Sequence, residues 1–386
     1  HLDHSTAMGC QTSSQSAEPV TKDRRRLSVG FVDSSSTGTE ANVADEDRGT
    51  VAMLEEKDIL NMTADSVGQI DGRKSSITSV TDAIESSFTE KTHKALGDEI
   101  DPTTSGLGYT CRKGLKPESP NQDSFSILQV DGLFSLFGVY DGHGKQGHDV
   151  SNFVKDTLPK LIVKDKRFKT QSKAEMLKEV FQKTQSLVTT LDSMKRLSAQ
   201  LSGTTATVAI HDHVLNKLIL SHVADSTCVL GEYTDDSKTR LKARALTRDH
   251  KPDLQDERSR IEKAGGRVVF DGFANHRVYA KNGRYPGLNM SRCLGDLLGH
   301  EEAGCSCVPE VSEVQLGPLS HVLLLCSDGV WEFMTAEEAV NLVAKYPPAQ
   351  AMMAAEHLAK EAWDRWIHEE DGMVVDDITA IVVHLQ

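Results

Sequence analysis

The 386-residue sequence predicts a layered α+β domain preceded by a segment of different character. Three observations carry that expectation. Apolar, β-branched runs of strand length come in bunches, and long amphipathic helical patterns lie between the bunches. Five of the strand ends carry an aspartate.

The run 133–140 is the most telling of them. It is apolar and aromatic, is bounded by Asp131-Gly132, and ends in Asp141-Gly142-His143-Gly144. The Asp141 carboxylate would stand at the strand tip, and Gly142 lets the backbone turn sharply and expose its carbonyl. His143 can change charge near neutral pH. Asp-Gly is also a common hairpin turn, so alone this stretch reads equally well as a turn. The other acids alter that balance. Apolar runs end on Asp328 and Asp225, Asp123 stands at the start of the strand 125–130, and Asp376-Asp377 precede the strand 378–385. Solvated loops do not explain five such placements. A shared rim where they meet would be a site for several hard cations, which take carboxylate and carbonyl oxygens.

Composition bounds the alternatives. A hydrophobic content of 38% with 26% charged residues suits a globular chain with some disorder. The net charge of −14 and the lack of a basic stripe argue against a nucleic-acid binder. The seven cysteines are scattered; only Cys305 and Cys307 are close, and no second pair completes a zinc site. Reduced, intracellular thiols are expected. No apolar run approaches the ~20 residues that cross a bilayer.

Residues 1–100 hold 25 Ser or Thr, only two of the 20 aromatics, and 10 Lys or Arg against 18 acids. Such a segment has little to bury and is expected to be largely disordered, or ordered only on docking. Met8 is internal, which suggests that residues 1–7 are not native. From Met8, Gly9 with Ser13 fits N-myristoylation and Cys10 could add a second acyl chain, anchoring the protein to the cytoplasmic face of a membrane. Arg24-Arg25-Arg26-Leu27-Ser28 reads as a basophilic kinase site or as a solvated charge run.

The globular pattern is expected over 105–386. Helices are expected at 150–163, where Val150, Phe153, Val154, Leu158 and Leu161 share a face, and at 174–194. Strands follow at 205–210, 218–223 and 228–233, then a charged helix at 253–263 closed by Gly265-Gly266. His211-Asp212-His213 sits at a strand end and reads as a polar hairpin rather than a metal pair. Residues 267–290 are polar and glycine-containing and read as a long functional loop. Helices are expected at 336–345 and 349–368, the second with an apolar stripe through Met352, Met353, Leu358, Ala362 and Trp366 that reads as core.

Eight stretches occur in order: Asn-Gln-Asp (121–123), Tyr-Asp-Gly-His-Gly (140–144), Ser-Gly-Thr-Thr-Ala (202–206), Ala-Asp-Ser (224–226), Thr-Arg-Asp-His-Lys-Pro (247–252), Ser-Arg-Cys-Leu-Gly-Asp (291–296), Ser-Asp-Gly-Val-Trp-Glu (327–332) and Asp-Asp-Ile-Thr (376–379). Together they resemble the motifs of the metal-dependent serine/threonine protein phosphatases of type 2C, over roughly residues 105 to 386. The resemblance implies a four-layer α/β/β/α sandwich, two antiparallel sheets face to face with helices outside both. It implies a hydrolase of phosphoserine and phosphothreonine proteins, expected to be a monomer, with two Mg2+ or Mn2+ ions per subunit and a weaker third. Asp141 would bridge the metals, the Gly142 carbonyl would complete one shell, Asp328 and Asp376 would hold the first ion and Asp123 the second. Asp225 and Glu332 match the third site, where Glu332 is longer than the usual Asp. His143 would protonate the leaving oxygen.

Two departures from the family pattern stand out. Gln122 replaces the usual acid before Asp123, and the phosphate-binding arginine is displaced by 117–120. Arg112 is the expected substitute, with an arginine of the 267–290 loop such as Arg284 as its rival. A catalytically weak or inactive phosphoprotein-binding scaffold in the same fold is the alternative function; it would more readily have lost a metal acid or His143.

Overall fold

The computed structural model describes residues 73–81, 93–116, 119–169 and 172–385. Two large antiparallel sheets dominate. The first runs, edge to edge, β16 (Glu310–Gln315), β9 (Lys217–Val223), β8 (Ala206–Asp212), β5 (Phe134–Tyr140), β4 (Ser124–Val130), β1 (Lys74–Ser79) and β2 (His93–Gly97). The second runs β11 (Leu241–Ala245), β10 (Thr227–Tyr233), β17 (Ser320–Cys326), β18 (Ile378–His384) and β3 (Leu107–Arg112).

Strand periodicity explains how they stack. In β17, Leu323 and Leu325 join Phe125, Ile127, Phe137, Val139, Leu218 and Leu220 of the other sheet in one buried cluster. Their neighbours Val322, Leu324 and Cys326 point the opposite way, onto Leu358, Ala362 and Trp366 of the helix Ala351–Glu369. On the first sheet, Leu136, Val208 and Ile210 face Val154, Leu158, Leu177 and Phe181 of the helices Gly147–Lys164 and Ala174–Ser193. The result is the expected α/β/β/α sandwich. The helix Ala336–Val343 starts at a full capping box, Thr335 with Glu338.

Two expectations need correction. Globular structure was expected from 105, yet β1 and β2 extend the first sheet, with Ile77 buried opposite Ile127. Serine-rich composition hid a strand whose alternate residues Ser75, Ile77 and Ser79 are buried; Ser79 Oγ even accepts from the Phe125 amide at 3.0 Å. Residues 1–72, with Gly9, Cys10 and Ser28, lie outside the described residues. The second correction concerns 267–290. It is not a plain loop but a small sheet of β12 (Arg267–Phe270), β13 (His276–Tyr279) and β14 (Pro286–Leu288). Its strands are short and one face is open, with Phe270 and Phe273 50% and 72% exposed. Val278 and Leu288 are buried in a small cluster with Ile261, Met290 and Cys293, but most other strand positions are exposed or half-buried, so no apolar alternation announces the sheet.

Candidate metal and phosphate site

The acids converge at the strand ends. Asp123 precedes β4, Asp141 follows β5, Asp225 follows β9, Asp328 follows β17 and Asp376 precedes β18. A third small sheet, β6 (Gly142–His143), β7 (Gly203–Thr204) and β15 (Leu294–Gly295), braces the central turn. Thr205 donates from Oγ1 to no acid but receives the Asp141 amide at 2.9 Å, and its own amide donates to the Asp141 carbonyl at 2.8 Å. Gly142 has no room for a side chain: a Cβ there would lie 2.4 Å from the Gly147 carbonyl oxygen and 2.6 Å from that of Gln122. Only glycine lets the turn pass beneath the acids.

Electrostatics show how crowded the carboxylates are. Burial, then Asp377, pushes Asp123 up to about 7, although the Ser327 hydroxyl donates to it at 2.7 Å. Burial, then Asp376 and Asp225, pushes Asp328 up to about 7. Asp141 is raised well above the ordinary carboxylate range by burial and by Asp123, Asp328 and Asp376. One oxygen of Asp328, Oδ1, is buried without a hydrogen-bond partner. Crowded oxygen donors that repel one another, with Asp328 Oδ1 buried and unpartnered among them, fit hard divalent cations. The residues therefore pass the test of fit for Mg2+ or Mn2+.

Asp376 and Asp377 divide their labour. Asp377 receives the amides of Gly114 and Gln122, both at 2.7 Å, and is structural. Asp376 is ion-paired with Lys116. Burial alone would favour a neutral Lys116; Asp376, Asp377 and Asp141 outweigh it and keep the amine charged. Gln122 braces the turn: its side-chain amide donates to the Gly144 carbonyl at 2.7 Å, and its own carbonyl receives the Gly142 amide at 3.2 Å.

Arg112 is the clear correction. Its guanidinium lies 3.5 Å from Glu356 on the outer helix, and its Nε donates to Thr110 at 3.1 Å. At the end of β3 its side chain is turned to the helical layer, whereas Lys116 and Lys251 are the cations paired with acids of the rim. Arg284 is exposed on the small sheet. Asp225 belongs to the electrostatic cluster through Asp328 and His143, and is ion-paired with Lys251. Glu332 stands one helical turn beyond Asp328, its amide donating to the Asp328 carbonyl at 2.9 Å, and is half-buried.

His143 has a partner that sequence reasoning did not assign. Its Nε2 lies 2.5 Å from Oδ2 of Asp296, while Nδ1 is buried without a hydrogen-bond partner. Burial would lower the pKa of the ring, but Asp296, with Asp225 and Asp328, raises it above the usual histidine value. The motif 291–296 contained the signal, an acid closing a stretch whose one strand, β15, is only two residues long. The same motif is anchored by Glu257, which accepts from Arg292 at 2.6 Å and from the Ser291 hydroxyl. Burial would raise the Glu257 carboxyl, but Arg292, Arg260 and Ser291 pull it down to about 2. A lowered folded-state pKa gives stability that is present above the unfolded value near 4.5 and lost as pH falls towards 2. Glu257→Gln should therefore cost about 3 kcal/mol at pH 7, near the lower range for breaking a buried pair. Thermal unfolding should show this gap narrowing to roughly half or less by pH 3 and closing only near pH 2; a gap unchanged with pH would reject the charge-based role.

Known proteins share both sequence and fold with this chain. The family model for protein phosphatase 2C matches residues 115–370. The chain is 33% identical over 276 residues to probable protein phosphatase 2C 72 of Arabidopsis thaliana, across 69% of this chain and 82% of that one. It is 34% identical over 272 residues to probable protein phosphatase 2C 2 of Paramecium tetraurelia, across 65% and 83%. Among solved structures, the serine-threonine phosphatase 2C from Toxoplasma gondii superposes with a TM-score of 0.61 at 20% identity, over 72% of this chain and 94% of that one, which shows the fold. Fold, acidic rim and sequence kinship together define a metal-dependent protein serine/threonine phosphatase, a hydrolase that uses Mg2+ or Mn2+. The chain belongs to the protein phosphatase 2C family.

Proposed function

We propose that Asp141, Asp328, Asp376 and Asp123, with the Gly142 carbonyl, hold two divalent cations against which phosphoserine and phosphothreonine esters are hydrolysed. The observation that carries this reading is the burial and crowding of Asp123, Asp141 and Asp328 among other acids, which raise all three carboxyls and which bound cations would relieve. Such cations, when bound, supply an activated water and neutralise the phosphoryl oxygens. The chain's own residues do the rest. Lys116 brings a positive charge to the rim in the place expected of Arg112. Asp296 orients His143, whose Nδ1 is the nitrogen available to give a proton to the departing serine or threonine oxygen. Asp225 and Glu332 make a weaker third position, where a cation would have to displace Lys251 from Asp225.

Hydrolysis of p-nitrophenyl phosphate should need millimolar-range Mg2+ or Mn2+, since carboxylate and water ligands hold such ions loosely. Excess chelator should abolish it. Undiminished turnover in chelator would overturn the reading.

We further propose that the protein acts as a monomer at the cytoplasmic face of a membrane, held by acyl chains on Gly9 and Cys10. The order Met8-Gly9-Cys10 with Ser13 supports this. Among the described residues no helix is long and apolar enough to cross a membrane. Gly9→Ala should move the protein from the membrane to the soluble fraction of cells; an unmoved variant would remove the anchor.

A further inference from the structure

A second set of ligand-type side chains lies outside the acidic rim. His222 is on β9, and Glu310 stands directly opposite it at the start of β16. His250 comes from the segment after β11, and its ring stacks on that of His222 with centroids 4.6 Å apart and planes 18° apart. Each of the three residues offers a ligand atom, and these atoms all lie within 4.8 Å of one another.

The hydrogen bonding leaves imidazole nitrogens of this cluster without a protein partner. His250 is fully buried, and neither of its ring nitrogens has a hydrogen-bond partner; Nε2 is 3.7 Å from Glu310 Oε2. His222 Nε2 lies 2.9 Å from the Arg248 carbonyl. A carbonyl can only accept, so Nε2 carries the proton and Nδ1 keeps its lone pair. Metal-binding histidines are held by this kind of outer contact. Burial and the neighbouring His250 pull His222 down to about 4, so it is neutral at pH 7. Arg248 takes the other oxygen of Glu310, Oε1, at 2.5 Å, and Arg292 lies 3.8 Å from that same oxygen, leaving Oε2 to the imidazoles.

We propose that His222, His250 and Glu310 bind a d-block dication of the zinc class, with water in the fourth position. Two imidazoles and one carboxylate form a known zinc donor set, and imidazole selects such ions over Mg2+. The site's role is to pin a segment. The His250 amide donates to the Ala224 carbonyl at 3.0 Å, and Lys251 beside it is paired with Asp225. A bound ion would fasten this segment to β9 and fix Lys251 at the edge of the catalytic rim.

The test uses the full chain, stripped of metal and then held in excess Mg2+ so that the acidic rim is filled. Zinc should bind at one ion per chain and raise the unfolding temperature. Cobalt should give the visible d–d bands of tetrahedral nitrogen and oxygen ligation. His222→Ala should abolish both signals, and Glu310→Gln should weaken zinc binding by at least about tenfold. Asp141→Asn should leave both intact. Absence of zinc binding, retention of it in His222→Ala, or its loss in Asp141→Asn would each overturn the proposal. If His222→Ala fails to fold, the wild-type cobalt spectrum decides, and its absence overturns the site.

Discussion

Asp141→Asn and Asp328→Asn should each abolish turnover on phosphoserine peptides and on p-nitrophenyl phosphate, and neither should unfold the protein. Both side chains lie where buried carboxylates already repel one another, so neutralising one removes repulsion as well as a ligand. The metal-free variants should therefore melt no lower than the metal-free wild type, while the gain in melting temperature on adding Mn2+ shrinks. The two readouts separate loss of ligation from loss of fold. Full activity of both variants would refute the acidic rim as the catalytic centre. A melting temperature that collapses in chelator would instead make these acids structural.

His143→Asn should cost about 10²–10⁴-fold on phosphoserine, the usual range for general acid catalysis. An activated aryl ester leaves without much protonation and should lose far less. The dyad geometry extends the expectation to Asp296, whose Oδ2 lies 2.5 Å from the ring. Asp296→Asn can no longer favour the protonated ring as a carboxylate does, so it should show the same bias against poor leaving groups and shift the basic limb of the rate profile to lower pH. Equal losses on both substrates would assign His143 to ordering the turn rather than to proton transfer. A normal leaving-group bias in Asp296→Asn would remove that residue from positioning His143.

Much of this was legible because the acids sit at the ends of apolar strands. A run such as 133–140 declares both its burial and its terminus, so Asp141, Asp328 and Asp376 could be placed on a common edge before any coordinates. Arg112 was misjudged for a related reason. Periodicity says which residues share a strand, but not whether the last side chain of β3 turns to the acids or to Glu356 on the helix outside. Lys116 was visible only as one cation among several in a loop. Asp296 and Glu257 act through contacts 153 and about 35 residues away, which local pattern cannot reveal. The strand at 74–79 escaped because its buried positions are largely serine, satisfied by hydrogen bonds instead of apolar contacts.

Glu257 precedes the small sheet β12–β14, and Ser291 and Arg292 follow it, so a single carboxylate fastens both ends of that excursion. A hinge closed at its base in this way confines bending to the part beyond the clasp. The clasp is not the sole tie, since Val278 and Leu288 pack with Cys293 and the Tyr285 hydroxyl donates to Glu302, so a push on the exposed Phe270 and Phe273 would still have a path to Asp296 and His143. Substitutions at the exposed positions of 267–288 should therefore leave the His143–Asp296 geometry as it is, whereas changes at Val278 or Leu288 should be felt there.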